Sequence, residues 1–227
     1  MSILNTVPFL KSKPKAPLQV MSSNWDKRSE ILKSRVNLFC WQRPLDLEIT
    51  HYLEGLLLTD LPAIRCSVDQ ETLHKELVAA RTYWDNDEKS AGDLFWQDVE
   101  RITTDFLEFS EDGTGIFHLR VVVNNACTKF HIDGYRLRLF SSYHGPGTEW
   151  LPEGAVNRQA LGTTNERIVT YPDKIQCLGT GHVGILKGEL PNQFQSVKGI
   201  VHRSPEISKT DEKRIKEGRG QGKGSDF

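Results

Sequence analysis

The sequence predicts an α+β protein, helical in its front half and β-rich in its rear half, and three observations carry that reading. Between Leu45 and Phe106 apolar residues recur at spacings of three and four, the pattern of helices that bury one face. Beyond Glu111-Asp112-Gly113-Thr114-Gly115, a run of turn-forming residues, the period changes to two, as half-buried strands require. A hydrophobic fraction of 37% over 227 residues suffices for one core, whereas two full domains would need a longer chain.

Residues 1–24 mix Pro8, Pro14 and Pro17 with Lys11, Lys13 and Lys15 and show no period, so they read as a flexible leader. A helical region spans 25–110. In it Leu45, Ile49, Tyr52, Leu53, Leu56 and Leu57 share one face, and Pro62 closes that segment. Ser67 offers a capping hydroxyl ahead of a second helix striped by Leu73, Leu77 and Ala80. A third helix runs through Phe95, Val99, Ile102 and Phe106.

The β-rich region, 111–206, forms one domain with the helices. Its first strand sets Phe117, Leu119, Val121 and Val123 on one face and Ile116, His118, Arg120 and Val122 on the other. A second strand is predicted from Phe130 to Leu139, with His131, Asp133, Tyr135, Leu137 and Leu139 on one side and Arg136 and Arg138 on the other. Shorter strands are predicted at 168–170, 182–186 and 199–202. From about residue 207 apolar content falls away, and Gly218, Gly220, Gly222 and Gly224 stand among charged residues, so 207–227 reads as a flexible tail that adds no core.

With 29 Lys+Arg against 30 Asp+Glu the net charge is −1, which argues against nucleic acid and anionic membrane as partners. No stretch approaches the roughly 18 to 20 apolar residues of a membrane span. Cys40, Cys66, Cys127 and Cys177 never form a CxxC, so a zinc ribbon and a thioredoxin-type site lose support, and a cytoplasmic, reducing location is expected.

The chemistry concentrates in the rear half. Two apart on an extended segment, His131 and Asp133 point the same way and can share a cation. His202, about seventy residues later, supplies a second imidazole if the strands close into a barrel. Two imidazoles and a carboxylate on one face of an octahedral Fe(II) leave three positions open for a co-substrate and dioxygen. The spacing alone is weak, because 7 His and 30 acidic residues produce about one His-x-Asp/Glu by chance. The second instance, His74 and Glu76, lies on a helix, where residues two apart diverge and cannot chelate one ion. Tyr143, His144 and Glu149 lie in a Gly- and Pro-rich segment just beyond the metal strand and are candidates for its substrate side. Arg120, Arg136, Arg138 and Lys187 can hold a carboxylate, each having a solvated strand face as the simpler role.

The strings NLFCWQRPL (37–45), CTKFHID (127–133), YRLRL (135–139), YHGPGTEWLP (143–152), KGE (187–189) and VHRSP (201–205) resemble the uncharacterised bacterial family known as domain of unknown function eighteen-twenty-six, over roughly residues 36–206. Its paired FHxD and HRSP strings are similar to the HxD…H arrangement of the non-haem iron, 2-oxoglutarate-dependent dioxygenases. That similarity implies a double-stranded β-helix, a cupin-like jelly roll, with His131, Asp133 and His202 at the ligand positions. It also implies an Arg on the last strand that binds the far carboxylate of 2-oxoglutarate. Arg214 stands twelve residues past His202, but without the apolar alternation of a strand around it, so the closing strand is expected to be absent or supplied by another segment.

The leading expectation is therefore a cytoplasmic Fe(II) protein that oxidises a small molecule or side chain, with Arg214 or Lys187 pairing the co-substrate and Tyr143, His144, Glu149 and Arg120 on the substrate side. The alternative is a non-catalytic zinc-binding protein of metal homeostasis or sensing, in which His144 or Glu149 closes a tetrahedron. A third reading, an interaction module braced by His131 and His202, requires no metal.

Overall fold

Apolar alternation and helix caps set most of the elements. The structure, a computed structural model, describes residues 16–56, 61–84, 92–123, 125, 127–190, 197–207 and 214–220. In chain order the elements are β1 (Leu18–Ser22), β2 (Val36–Trp41), α1 (Leu47–Gly55), β3 (Ile64–Val68), α2 (Leu73–Trp84), α3 (Asp93–Leu107), β4 (Gly115–Val122), β5 (Leu137–His144), β6 (Glu149–Leu151), α4 (Asn165–Ile168), β7 (Gln176–Cys177), β8 (Val183–Lys187), β9 (Val201–Arg203) and β10 (Arg214–Gly220). Asp46 starts α1 by accepting a hydrogen bond from the Glu48 amide. Ahead of α2 the capping oxygen is not Ser67, which lies within β3, but the Asp69 carboxylate, which accepts from the Glu71 and Thr72 amides at 2.9 and 2.8 Å. Among the described residues no helix is long and apolar enough to cross a membrane.

Seven strands form one sheet in the order β1-β2-β8-β5-β10-β4-β3, antiparallel except for the parallel β1–β2 pair, and β7-β6-β9 form a second. Alternation divides the large sheet into two faces. One carries Phe117, Leu119, Tyr143 and Ile215 against Leu53, Leu77, Trp84, Phe95 and Val99 of the helices, and Leu137, Leu139, Val183 and Ile185 against Ile102 and Phe106. The other carries Leu38, Cys40, Phe140 and Leu186 against Trp150, Leu178 and Ile200 around the small sheet. The fold is thus the expected α+β class, with helices on one face of a largely antiparallel sheet and a second sheet over its opposite face.

The front half, however, is mixed rather than all helical. β1 arises within the expected leader, and β2 and β3 within the expected helical region. β2 is buried on both faces, so apart from Asn37 it reads as an apolar run without alternation. Residues 1–15 of the leader lie outside the described residues. Of the strand expected at 168–170, Ile168 ends the short helix α4, Val169 forms an isolated bridge with Val156 and Thr170 lies in a bend. The largest departure is β10. Within a stretch expected to be tail, it occupies the middle of the large sheet, paired from Arg214↔Val122 to Gly220↔Ile116 with β4 and along its other edge with β5. Among the described side chains of this strand Ile215 enters the helix-side core, while Arg214, Lys216, Gly218 and Gly220 share the opposite face. A strand lined with cations and glycines has no apolar period to betray it. The remainder of 208–227 lies outside the described residues.

Candidate metal centre

His131 and His202 are brought together by main-chain pairing. They form an isolated antiparallel bridge in which the His131 amide donates to the His202 carbonyl at 3.0 Å and the His202 amide donates back at 2.9 Å. Directly opposed residues of such a pair set their side chains on the same face, and the two rings lie 4.6 Å apart. The segment bearing His131 and Asp133 is extended but is not part of a regular strand, since β5 begins only at Leu137 after a bend at 134–136. Each imidazole presents its Nδ1 to a main-chain carbonyl, that of Lys129 for His131 at 2.8 Å and that of Ile200 for His202 at 3.3 Å. An Nδ1–H donated to those carbonyls leaves the Nε2 lone pairs free to bind a metal, the orientation metal-binding histidines adopt.

Both Nε2 atoms converge on Asp133. Nε2 of His131 lies 3.5 Å from Oδ1, and Nε2 of His202 lies 3.3 Å from Oδ2. Oδ1 also accepts from Nη1 of Arg138 at 3.0 Å, whereas the buried Oδ2 accepts no well-aligned hydrogen bond. One ligand atom from each of the three residues lies within 4.8 Å of the others. Two oriented nitrogens and an orphaned carboxylate oxygen are a donor set that fits a divalent cation. Among the described residues this group contains neither His144 nor Glu149.

Electrostatics sharpen the picture. Asp133 is only 8% exposed, and burial would raise its pKa, but His202, His131 and Arg138 together hold it far below the usual carboxylate range. Burial alone would lower the pKa of His131, yet the Asp133 carboxylate and the Lys129 carbonyl raise it. His202 is 3% exposed, and burial lowers its pKa despite Asp133. The carboxylate is therefore ionised, as a ligand must be.

Glycines hold the segment in place. A Cβ at Gly188 would overlap the carbonyl oxygens of Asp133 and Tyr135, and one at Gly199 would meet Cγ2 of Ile132 at 2.6 Å. Gly188→Ala should therefore destabilise the fold by about 1–3 kcal/mol, the usual cost of overpacking, and displace Asp133. Urea denaturation together with metal content checks this, and an unchanged midpoint with full metal occupancy would refute it.

The family model described as "Protein of unknown function (DUF1826)" matches residues 22–216. The chain belongs to the DUF1826 family. No match is found among curated proteins. Among solved structures this DUF1826 chain is similar to dioxygenase for auxin oxidation 1 from Arabidopsis thaliana in complex with 2-oxoglutarate, at 10% identity over 91% of this chain and 92% of that one, with a TM-score of 0.48. It is also similar to a Pseudomonas putida prolyl-4-hydroxylase (10% identity, 86% and 97% covered, TM-score 0.38). A third similar structure is a full-length Neurospora crassa protein in complex with alpha-KG and 5-formyluracil (11% identity, 82% and 74% covered, TM-score 0.41).

The other candidate residues of this DUF1826 protein divide by sheet face. Arg214 is fully buried on the face that meets the small sheet, and its Nη2 donates to Ser142 Oγ at 3.2 Å. Arg120 lies on the same face, exposed near the C-terminal end of β4. Lys187 does not join them. It continues the Val183, Ile185 face of β8 toward the helices, and its Nζ donates to the Lys33 carbonyl at 2.8 Å. Burial and Arg136 push that amine down to about 8. Arg136 itself donates to the Phe109 carbonyl, at the end of the helix layer. Tyr143 also lies on the helix side, its hydroxyl donating to Asp98 at 2.8 Å, and is remote from any substrate cleft between the sheets. Glu149 is held by Nε of Arg203 at 2.6 Å, and His144 ends β5 half-buried. Two further cations stand nearer the centre. Arg138, expected across the strand from the metal ligands, instead binds Asp133. Lys216, which the sequence did not single out, lies with its Nζ 3.9 Å from the centroid of Phe140, whose ring is 5.5 Å from that of His202. Resolving β10 in the sequence would have disclosed Lys216, since it follows Arg214 by two.

Proposed function

We propose that this protein is a non-haem Fe(II), 2-oxoglutarate-type oxygenase that acts on a small molecule or a side chain in the cytoplasm. The observation that carries the reading is the convergence of the His131 and His202 Nε2 atoms on a buried carboxylate with an orphaned oxygen. His131, Asp133 and His202 would hold the metal, which supplies dioxygen activation coupled to oxidation of the co-substrate. A set of three protein ligands among the described residues favours this over the zinc-binding alternative, because catalysis needs open coordination positions and a structural site fills its fourth. The four free cysteines suit a reducing compartment.

The protein's own groups have separable tasks. The carbonyls of Lys129 and Ile200 fix the two imidazoles. Arg138 keeps one oxygen of Asp133 engaged and turns the other toward the histidines. Arg214, with the Ser142 hydroxyl, offers a buried fork for the distal carboxylate of the co-substrate, and its Nε has no hydrogen-bond partner. Burial first of all pushes the guanidinium down to about 10, so it remains charged at neutral pH. Phe140, Trp150 and Leu186 supply the apolar wall that excludes water.

Metal content after anaerobic Fe(II) reconstitution tests the proposal. One iron per chain, a visible charge-transfer band on adding 2-oxoglutarate, and loss of both in His131→Ala are the expected results. Tight zinc without the band would put the binder first, and no metal in either protein would end the reading.

A further inference from the structure

The face of the large sheet beneath the metal centre holds more positive charge than one metal-bound co-substrate requires. Arg138, Lys216, Arg120 and Arg214 all lie on it, on the three adjacent strands β5, β10 and β4, with Lys216 paired in register to Ser142 on one side and Arg120 on the other. Arg138 is engaged by Asp133 and Arg214 by Ser142. Lys216 has neither kind of partner among the described residues. Its side chain is buried at 9% exposure, its Nζ touches the Phe140 ring, and its charged neighbours are Arg138, Arg214 and Arg120, with Asp133 the one anion. That carboxylate is already shared by Arg138 and the two histidines.

A buried lysine with no counter-ion among the described residues opposes folding, and methionine would fill the same volume against Phe140 without that penalty. A lysine here is therefore explained by a ligand that brings the missing negative charge. We propose that Lys216 and Arg120 form a second oxyanion seat, beside the Arg214–Ser142 fork, which binds a carboxylate or phosphate group of the primary substrate, so that the substrate is a small acid. This rests on the oxygenase reading for the word substrate, but the seat itself needs no metal. A carboxylate on a co-substrate would take the Arg214 fork, and its other end would lie at the metal, leaving Lys216 and Arg120 for a separate anion. Burial and the three guanidinium neighbours hold the Lys216 amine well below its usual pKa, which an arriving anion would reverse.

The test uses the full chain stripped of metal, titrated calorimetrically with inorganic phosphate and with succinate at constant ionic strength. Saturable binding is expected in the wild type, with the tighter of the two anions indicating which acid class the seat prefers. Lys216→Met should weaken binding about tenfold or more, the usual weight of a charge-assisted hydrogen bond, without lowering the melting temperature. Arg120→Gln, at an exposed position that cannot disrupt the core, should weaken it severalfold, and Lys216→Arg should retain it. Wild-type-like affinity in Lys216→Met, or in Arg120→Gln should the first variant fail to fold, would overturn the proposal, as would the absence of saturable binding in the wild type. Because no metal is present, a protein that binds phosphate or succinate but never iron would sink the oxygenase reading and leave the seat standing.

Discussion

Replacing Asp133 by alanine is expected to abolish metal binding. The carboxylate is the only anionic member of the three-residue group, and it is the point on which both histidine Nε2 atoms converge. Loss of a group that merely orients a ligand costs about 10–100-fold in metal affinity, so loss of this ligand should exceed that range. The same change strips Arg138 of its carboxylate partner and leaves its guanidinium beside Lys216. Stability of the metal-free protein should then fall too, by the roughly 1–3 kcal/mol of an unsatisfied buried group. Competition against a chelator of known affinity, read by atomic absorption, measures the first effect and urea denaturation the second. Asp133→Glu keeps the charge and should recover part of both. If Asp133→Ala holds iron as tightly as the wild type, the metal centre lies elsewhere.

The second large effect is expected on the opposite face of the sheet, at Asp98. Arg43 grips its carboxylate with two hydrogen bonds of 2.6 Å, Tyr143 donates to it at 2.8 Å and Arg101 at 2.9 Å, and the Arg43 and Asp98 side chains are each only 10% exposed. Arg43 also donates through Nε to the Gly181 carbonyl and stacks 4.6 Å from the Trp41 ring, so it cannot follow its lost partner into water without breaking those contacts. Asp98→Ala should cost about 3–5 kcal/mol, most of it the stranded guanidinium. Replacing both partners with apolar residues of similar volume should recover most of that loss. A single-mutant cost under about 1 kcal/mol would mean that water reaches the pair and screens it.

The pH dependence of this network follows in sign. Burial works to raise the pKa of Asp98, but the hydrogen bonds and charge of Arg43, with Tyr143 and Arg101, outweigh it and leave it below its unfolded value. The unfolded chain therefore binds the proton more readily. The stabilisation is complete above the unfolded carboxylate value, near 4, and is lost as pH falls through the lower folded value. Thermal melts of the wild type should show a steep acid limb that is shallower in Asp98→Asn.

How much of the site was legible depended on whether the chain kept a simple phase. His131 and Asp133 were readable because residues two apart in any extended segment point the same way, even though this one is not a regular strand. Arg138 was misplaced because the bend at 134–136 resets the alternation before β5 begins and sends it to the metal side, and Tyr143, expected in the segment beyond the strand, is instead part of β5 and faces the helices. Lys187 failed for a related reason, since only the neighbours of β8 reveal that its odd-numbered residues face the helix layer.

An assumed barrel and the family resemblance were needed to add His202 to His131 and Asp133. By itself the sequence determined the α+β class, the helices α1 to α3, the strand β4 with its two faces, and the same-side placement of His131 and Asp133. These depend on period and spacing, which are local properties of the chain. Only the tertiary structure decided that 214–220 is a central strand and that Lys216 shares a face with Arg120, Arg138 and Arg214. A strand that turns cations and glycines to the face opposite the helices carries no hydrophobic signal, and its place in the sheet comes from main-chain pairing with β4 and β5, which any residue except proline can supply.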